Sequence, residues 1–237
     1  MRRALTLAAN GLYSTSPNPR VGCVLAKDGR VVGEGWHERA GGPHAEAAAL
    51  AAARGEAKGA TAYVTLEPCN HHGRTPPCAS ALVEAGVARV VAAMRDPNPE
   101  AAHGAETLRA AGIAFESGLL EDEARELNIG FVSRVTRGRP WVRMKAAATL
   151  DGRTAMADGR SQWITGEEAR LDGHRWRARA CAILTGIGTV RADDPQLTVR
   201  GVDTPRQPLR VVVDSRLETP STARILEGGN VLFFCAV

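Results

Sequence analysis

Aromatic residues are scarce: Phe, Trp and Tyr together make up 4% of the 237 residues. Any core must therefore rest on Ala, Val and Leu. No stretch approaches the ~18 consecutive apolar residues of a membrane-spanning helix, which argues against a membrane protein. Nowhere do five or more basic residues stand together, so nothing points to nucleic acid as a partner. Cysteine is present but odd in number, five residues at uneven spacing. That argues against a disulfide framework and for a reducing, cytoplasmic compartment with metal or packing roles for the thiols. The opening Met1-Arg2-Arg3 followed by Ala4 to Ala9 lacks the sustained apolar run of a secretory signal, and Asn10-Gly11 interrupts it. It reads as a first helix with Leu5, Ala8, Ala9 and Leu12 on one face.

The rest of the composition is that of a globular protein, 44% hydrophobic and 24% charged. The length suits one large domain or two ordinary ones. The net charge of +4 fits an anionic ligand, such as a phosphate ester or a dinucleotide, or simply a soluble surface rich in Arg.

Val21–Ala26 and Val31–Trp36 are strand-like, and the Asp28-Gly29 between them marks a hairpin turn. His44–Arg54 is an Ala-rich helix closed by Gly55, and Ala60–Thr65 a strand. After an irregular stretch from Glu67 to Pro77 come a helix, Cys78–Ala85, and a strand, Arg89–Ala93. A loop at Asp96-Pro97-Asn98-Pro99, a helix Glu106–Ala111, a strand Ile113–Glu116 and a helix Glu121–Arg134 complete the first part. Strand and helix alternate after the hairpin, which predicts an α/β domain of three layers, with helices on both faces of a mixed sheet. Thr136 to Pro140 reads as a linker, dividing residues 1–138 from 139–237. The second part opens with a predicted strand, Trp141–Ala147, and a helix, Glu167–Arg179, begun by a Thr165/Glu168 capping box. Ala182–Thr185, Arg210–Val213 and Val231–Phe234 read as buried strands. The chain stops just after the last of these, so this second α/β domain is expected to be incomplete at its C-terminal end.

Three pieces carry metal chemistry. His44-Ala45-Glu46 opens a helix, Cys69 follows a strand, and Cys78 opens another helix. One His and two Cys give three protein ligands, and catalytic zinc sites keep the fourth position for water. Thiolates also gain from the positive ends of helices. Zinc lowers the pKa of water from 15.7 to about 7. Glu46, two residues past His44, lies near the metal without binding it. It can take a proton from water, protonate a ring nitrogen and later serve the leaving amine. This is the pattern of zinc base deaminases, except that their two cysteines stand two residues apart. Here eight residues, Asn70 to Pro77, intervene, and this polar, basic insert should sit at the site mouth. A structural zinc site completed by His71 or His72 is the alternative; it has no use for Glu46. Cys23, Cys181 and Cys235 lie in apolar strands and read as core thiols. His37, His103 and His174 read as surface or hydrogen-bonded histidines without a catalytic part.

Ser16-Pro17-Asn18-Pro19-Arg20-Val21-Gly22, Pro43-His44-Ala45-Glu46 and the run from Thr65 to Cys78 resemble the bifunctional deaminase/reductase of riboflavin biosynthesis. So do Asp96 to Pro99, Lys145 to Arg153, Ser161 to Thr165 and Asp193 to Arg200. The long Cys-to-Cys spacer separates this branch from tRNA and cytidine deaminases. The resemblance implies a cytidine-deaminase-like domain followed by part of a dihydrofolate-reductase-like α/β domain. It implies removal of the 2-amino group from a diaminopyrimidinone carrying a 5'-phosphoribosylamino substituent, then NADPH-dependent reduction of the ribosyl group to ribityl. Zinc would sit on His44, Cys69 and Cys78, with Glu46 as the catalytic acid/base. Asn18, His71 and Arg74 would meet the deaminase substrate, with His72 beside them at the ribose phosphate. Ala147, Trp163, Thr189, Asp193 and Ser215 would contact NADPH, and Ser161, Arg177, Leu197 and Arg200 the reductase substrate. The partner implied is thus a small phosphorylated pyrimidine; the sequence leaves a homo-oligomer open. A tRNA base deaminase and a non-enzymatic zinc module are the competing readings. The first lacks the short cysteine spacing and a basic tail, and the second has no need of Glu46.

Overall fold

The computed structural model describes residues 1–71 and 76–236. The chain forms two compact units, Met1–Val142 and Arg143–Val237. None of its described helices is long and apolar enough to cross a membrane.

The first unit is built on a five-stranded sheet of order β2-β1-β3-β4-β5, made of β1 (Gly22–Lys27), β2 (Arg30–Trp36), β3 (Thr61–Val64), β4 (Arg89–Ala92) and β5 (Ala114–Ser117). β1 runs antiparallel to both its neighbours, whereas β3, β4 and β5 are parallel. The hairpin turn is the one the sequence predicts: Asp28 and Gly29 both have positive φ, 50° and 75°, as a two-residue primed turn requires. Along each strand, alternate side chains serve opposite faces. Cys23, Leu25, Ala62, Val64, Val90 and Ala92 point into a core shared with α2 (Ala45–Ala52), α3 (Cys78–Glu84) and α4 (Gly104–Ala110). Val24 faces α1 (Arg2–Ala9), packing with Ala4 and Leu7. On the same side, α5 (Glu121–Leu127) and α6 (Ile129–Arg137) bury Ala124 and Val132 against Leu66, Ala93 and Met94.

With so few large side chains, close approach replaces bulk. In β2, a Cβ on Gly33 would stand 2.3 Å from the Ala49 carbonyl oxygen, and one on Gly35 would stand 2.5 Å from the Ala49 nitrogen. Helix α2, lined here by Ala45, Ala48 and Ala49, rests directly on the backbone of β2.

The second unit contains a parallel three-stranded sheet, β6 (Ala182–Gly186), β7 (Leu209–Val213) and β8 (Val231–Phe234). It carries α7 (Glu167–Arg179) and α8 (Ile187–Asp193). Val190, Val212, Ala223 and Ile225 form its buried cluster. Arg210 is buried in β7, where its guanidinium donates to the carbonyls of Ile225, Glu227 and Gly229.

Several expectations are corrected. Trp141–Ala147 forms no strand: it is exposed over nearly its whole length and pairs with neither sheet, and a strand without a ladder partner has no place for its backbone bonds. The predicted helix Glu121–Arg134 breaks at Asn128, whose buried side chain bonds elsewhere. The buried face of α1 is Ala4, Leu7 and Ala8; the helix stops at Ala9, so Leu12 falls in the following turn. α4 and β5 are each displaced from their predicted limits. Helix α7 begins at a Gly166 cap with no side-chain bond, so the Thr165/Glu168 box does not form. Only β7 is substantially buried, because Leu184, Val213, Leu232 and Phe234 expose one face of the sheet. Cys181 and Cys235 are accordingly exposed; Cys23 is a core thiol as read.

Candidate metal centre and the cavity above it

The first unit brings three of the predicted side chains to one point. His44 is the N-cap of α2, in extended conformation, Cys78 is the first residue of α3, and Cys69 lies in the loop after β3. The His44 Nδ1 stands 3.3 Å from the Cys78 Sγ and 3.5 Å from the Cys69 Sγ. All three donor atoms lie within 4.8 Å of one another. Such spacing suits a tetrahedral zinc ion, whose bonds to nitrogen and sulfur are about 2.0–2.3 Å. Two soft sulfurs and an imidazole are the donor set that zinc favours.

Local electrostatics favours the thiolate at one of these cysteines and the thiol at the other. A hydrogen bond from the Cys78 thiol, with further bonds from His44 and the Cys78 backbone N–H, brings the Cys69 thiol down to about 4 against its burial. That same shared bond, burial and the nearby Glu46 push the Cys78 thiol up. One proton is held between two sulfurs, and a cation binding there displaces it.

Glu46 is in the first turn of α2 and only 3% exposed. Burial, followed by the charge on Cys69, raises its carboxyl to about 7. A carboxyl with that affinity for protons, beside the donor triad, is fitted to carry a proton in either direction near neutrality.

The loop that carries Cys69 is clamped from behind. Glu67, buried, accepts from the Ala105 N–H at 3.0 Å and pairs with the Arg95 Nε at 2.9 Å. The start of α4 sits against the same loop so closely that a Cβ on Gly104 would lie 1.8 Å from the Pro68 carbonyl oxygen. The sequence gives Glu67 no marked part, although it stands two residues from Cys69, a candidate donor.

Above the triad opens a cavity of about 230 Å³, lined by Asn18, His37, Glu46, His71, Asp96 and Arg134 among others. Asn18 and His71, both expected at the deaminase substrate, line this cavity; Arg74 and His72 lie outside the described residues. Burial, opposed by a bond from the Asn98 N–H, raises the Asp96 carboxyl to about 6.

His37 is a buried, hydrogen-bonded histidine, as the sequence reads, and it lines the cavity. Its Nδ1 is 2.8 Å from the Pro43 carbonyl, which can only accept, so this nitrogen carries the proton. Nε2 therefore accepts, and receives the Asn18 amide nitrogen at 3.1 Å. The Asn18 amide is thereby oriented, leaving its Oδ1 as the acceptor. Burial and then His44 lower the pKa of His37, favouring this neutral form. Its ring meets that of His44 edge-on at 5.4 Å. His103 is exposed.

In the second unit the predicted residues are less gathered. Arg177 donates to the Thr198 carbonyl at 3.1 Å, and the Arg200 N–H donates to the His174 Nδ1 at 3.1 Å. Both arginines therefore meet where the 198–200 segment crosses α7. Leu197, with φ 54°, introduces that segment. Thr189 and Asp193 stand one turn apart on α8. Trp163 is exposed, with the Arg170 guanidinium 4.5 Å from its ring centroid. Ser161 and Ala147 are half-buried, and Ser215 is exposed. Among the described residues, no hydrogen bond joins Ala147, Trp163, Thr189, Asp193 and Ser215 to one another.

Comparison with known proteins follows the same division. Residues 1–94 match the cytidine and deoxycytidylate deaminase zinc-binding region, and residues 140–236 match the RibD C-terminal domain. Riboflavin biosynthesis protein RibD of Escherichia coli is 54% identical over 247 aligned residues, covering 99% of this chain and 67% of its own length. The Haemophilus influenzae protein of the same name is 53% identical, over 95% of this chain and 64% of its own. Among solved structures, Acinetobacter baumannii RibD superposes with a TM-score of 0.93 at 54% identity, over 99% of this chain and 68% of that one. A Thermotoga maritima diaminohydroxyphosphoribosylaminopyrimidine deaminase/5-amino-6-(5-phosphoribosylamino)uracil reductase gives 0.95 at 44% identity, over 100% of this chain and 69% of that one. The chain thus spans about two thirds of the length of these relatives.

Proposed function

Because the chain belongs to the RibD family of riboflavin-biosynthesis proteins, we propose that its first unit is a zinc-dependent deaminase. Its substrate is a 2,5-diamino-6-(5-phosphoribosylamino)pyrimidin-4(3H)-one. The observation that carries this reading is the buried Glu46 beside the His44, Cys69 and Cys78 triad, at the floor of a cavity wide enough for a pyrimidine.

His44, Cys69 and Cys78 would hold the metal. Zinc, when bound, supplies Lewis acidity that lowers the pKa of water from 15.7 to about 7. Glu46 takes the proton that water gives up, passes one to the pyrimidine ring nitrogen, and delivers one to the departing amine. Water's oxygen replaces the amino group, and ammonia leaves. Asn18 presents its Oδ1 to the pyrimidine's N–H groups, held by His37. His71 and Arg74 meet the sugar phosphate. Among the described residues lining the cavity Arg134 is the single arginine, which suits a small phosphate ester better than a nucleic-acid strand.

The second unit is the NADPH-dependent reductase part, which turns the ribosyl group into ribityl. NADPH supplies the electrons. Ala147, Trp163, Thr189, Asp193 and Ser215 contact it, and Ser161, Arg177, Leu197 and Arg200 contact the substrate. The paired position of the two arginines suits a phosphate. The protein acts in the cytoplasm.

Ammonia release from the diaminopyrimidinone by zinc-loaded protein tests the deaminase. Glu46→Gln should hold zinc as the parent does and lose at least about a hundredfold in rate. Equal rates in parent and variant would remove Glu46 from the chemistry.

A further inference from the structure

We infer that Arg134 of α6 is a further cation that receives the phosphate of the deaminase substrate. This rests on the proposed substrate. The cavity is rich in acidic groups, with Glu46, Glu67 and Asp96 on its wall. A dianionic phosphate cannot settle among them. It must lie at the rim, against a positive group.

Few groups qualify. His44 belongs to the metal triad, and both ring nitrogens of His37 are engaged, by Pro43 and Asn18. Glu67 is already neutralised by Arg95. Among the described residues lining the cavity, Arg134 alone carries a positive charge at every working pH. Its side chain is exposed, at the rim, and no carboxylate pairs with it among the described residues.

Its placement is built rather than incidental. Phe131, one turn earlier on the same helix, also lines the cavity and packs on the cluster of Leu66 and Met94. The start of α6 is pinned by Asn128, whose Oδ1 accepts from the Arg20 N–H at 2.8 Å and whose Nδ2 donates to the Arg20 carbonyl at 2.9 Å. Arg20 lies two residues from Asn18. One pair of bonds therefore fixes the helix of Arg134 to the loop of Asn18, which in this reading grips the pyrimidine ring. The ring contact and the phosphate contact are thus held at a set separation, and that selects a substrate of one length.

The test compares zinc-loaded parent, Arg134→Ala and Arg134→Lys on the phosphorylated pyrimidine and on its dephosphorylated counterpart. Arg134→Ala should lose about 10- to 100-fold in kcat/KM on the phosphorylated compound, as expected for a charge-assisted hydrogen bond. The loss should fall mainly on KM, with the dephosphorylated compound unaffected and Arg134→Lys in between. An Arg134→Ala protein that keeps the parent's preference for phosphate overturns the inference and leaves the deaminase standing. If the parent deaminates neither compound, the proposed substrate falls, and calorimetric titration with ribose 5-phosphate decides the inference separately. Heat in the parent that Arg134→Ala lacks upholds it; equal heats, or none, overturn it.

Discussion

Replacing Gly35 by Ala tests the idea that backbone contact, rather than side-chain bulk, aims the metal triad. The new Cβ would lie 2.5 Å from the Ala49 nitrogen, 2.6 Å from the Ala45 carbonyl and 2.7 Å from the Ala48 Cβ. Carbon contacts relax at about 3.5–4.0 Å, and two of the three obstacles are helix backbone that no rotamer change can move. Helix α2 must therefore retreat from β2 by roughly 1 Å. Overpacking of this kind costs about 1–3 kcal/mol, which for a unit of this size lowers Tm by roughly 2–12 °C. The helix takes His44 and Glu46 with it, and a displacement near 1 Å in a reacting group can cost about a hundredfold in rate. Thermal unfolding, zinc content after a fixed chelator challenge, and ammonia release read the three effects. Gly130→Ala is the control: it is exposed near the start of α6, with nothing within 4 Å of its new Cβ. It should stabilise by roughly 0.5–1 kcal/mol, since Gly is the poorer helix former. A Gly35→Ala protein with unchanged Tm, zinc retention and rate would refute the reasoning, because the helix would then have yielded at no cost.

Two further outcomes follow from buried polar groups. Asn128→Ala leaves the N–H and carbonyl of Arg20 without their partner, and should lower stability by roughly 2–4 kcal/mol in denaturant unfolding. His37→Phe keeps the ring but frees the Asn18 amide to turn. KM for the pyrimidine should rise about tenfold while zinc content holds, as for one hydrogen bond left unmade in the complex; an unchanged KM would show that Asn18 needs no help.

Much of this site was legible in the sequence because its chemistry is compressed into short motifs. His44 and Glu46 share one helix start, and the thiols stand directly after a strand and at the head of a helix. The hairpin was equally plain, since Asp-Gly suits few other conformations. What the sequence hid was set by distant partners. The apolar stretch Trp141–Ala147 has strand-like character, but a strand needs a neighbour, and no local pattern reveals one. Glu121 to Arg134 has the makings of one helix, and only the demand of Arg20's backbone on Asn128 shows why it is two. That His37 is hydrogen-bonded follows from its type, but that its partners are Pro43 and Asn18 does not, since neither bond leaves a periodic trace. Arg134 is one exposed arginine among many until α6 is placed beside the cavity.

The bond pair between Arg20 and Asn128 joins residues 108 apart in the chain. During synthesis the N-terminal loop emerges long before its partner does. The hairpin and α2 rest on contacts close in sequence, but the tie between the Asn18 loop and α6 needs residue 128 to have left the ribosome. Contacts this distant in sequence are slow to close. His44, Cys69 and Cys78 are thus all synthesised before the residue that ties the Asn18 loop to α6.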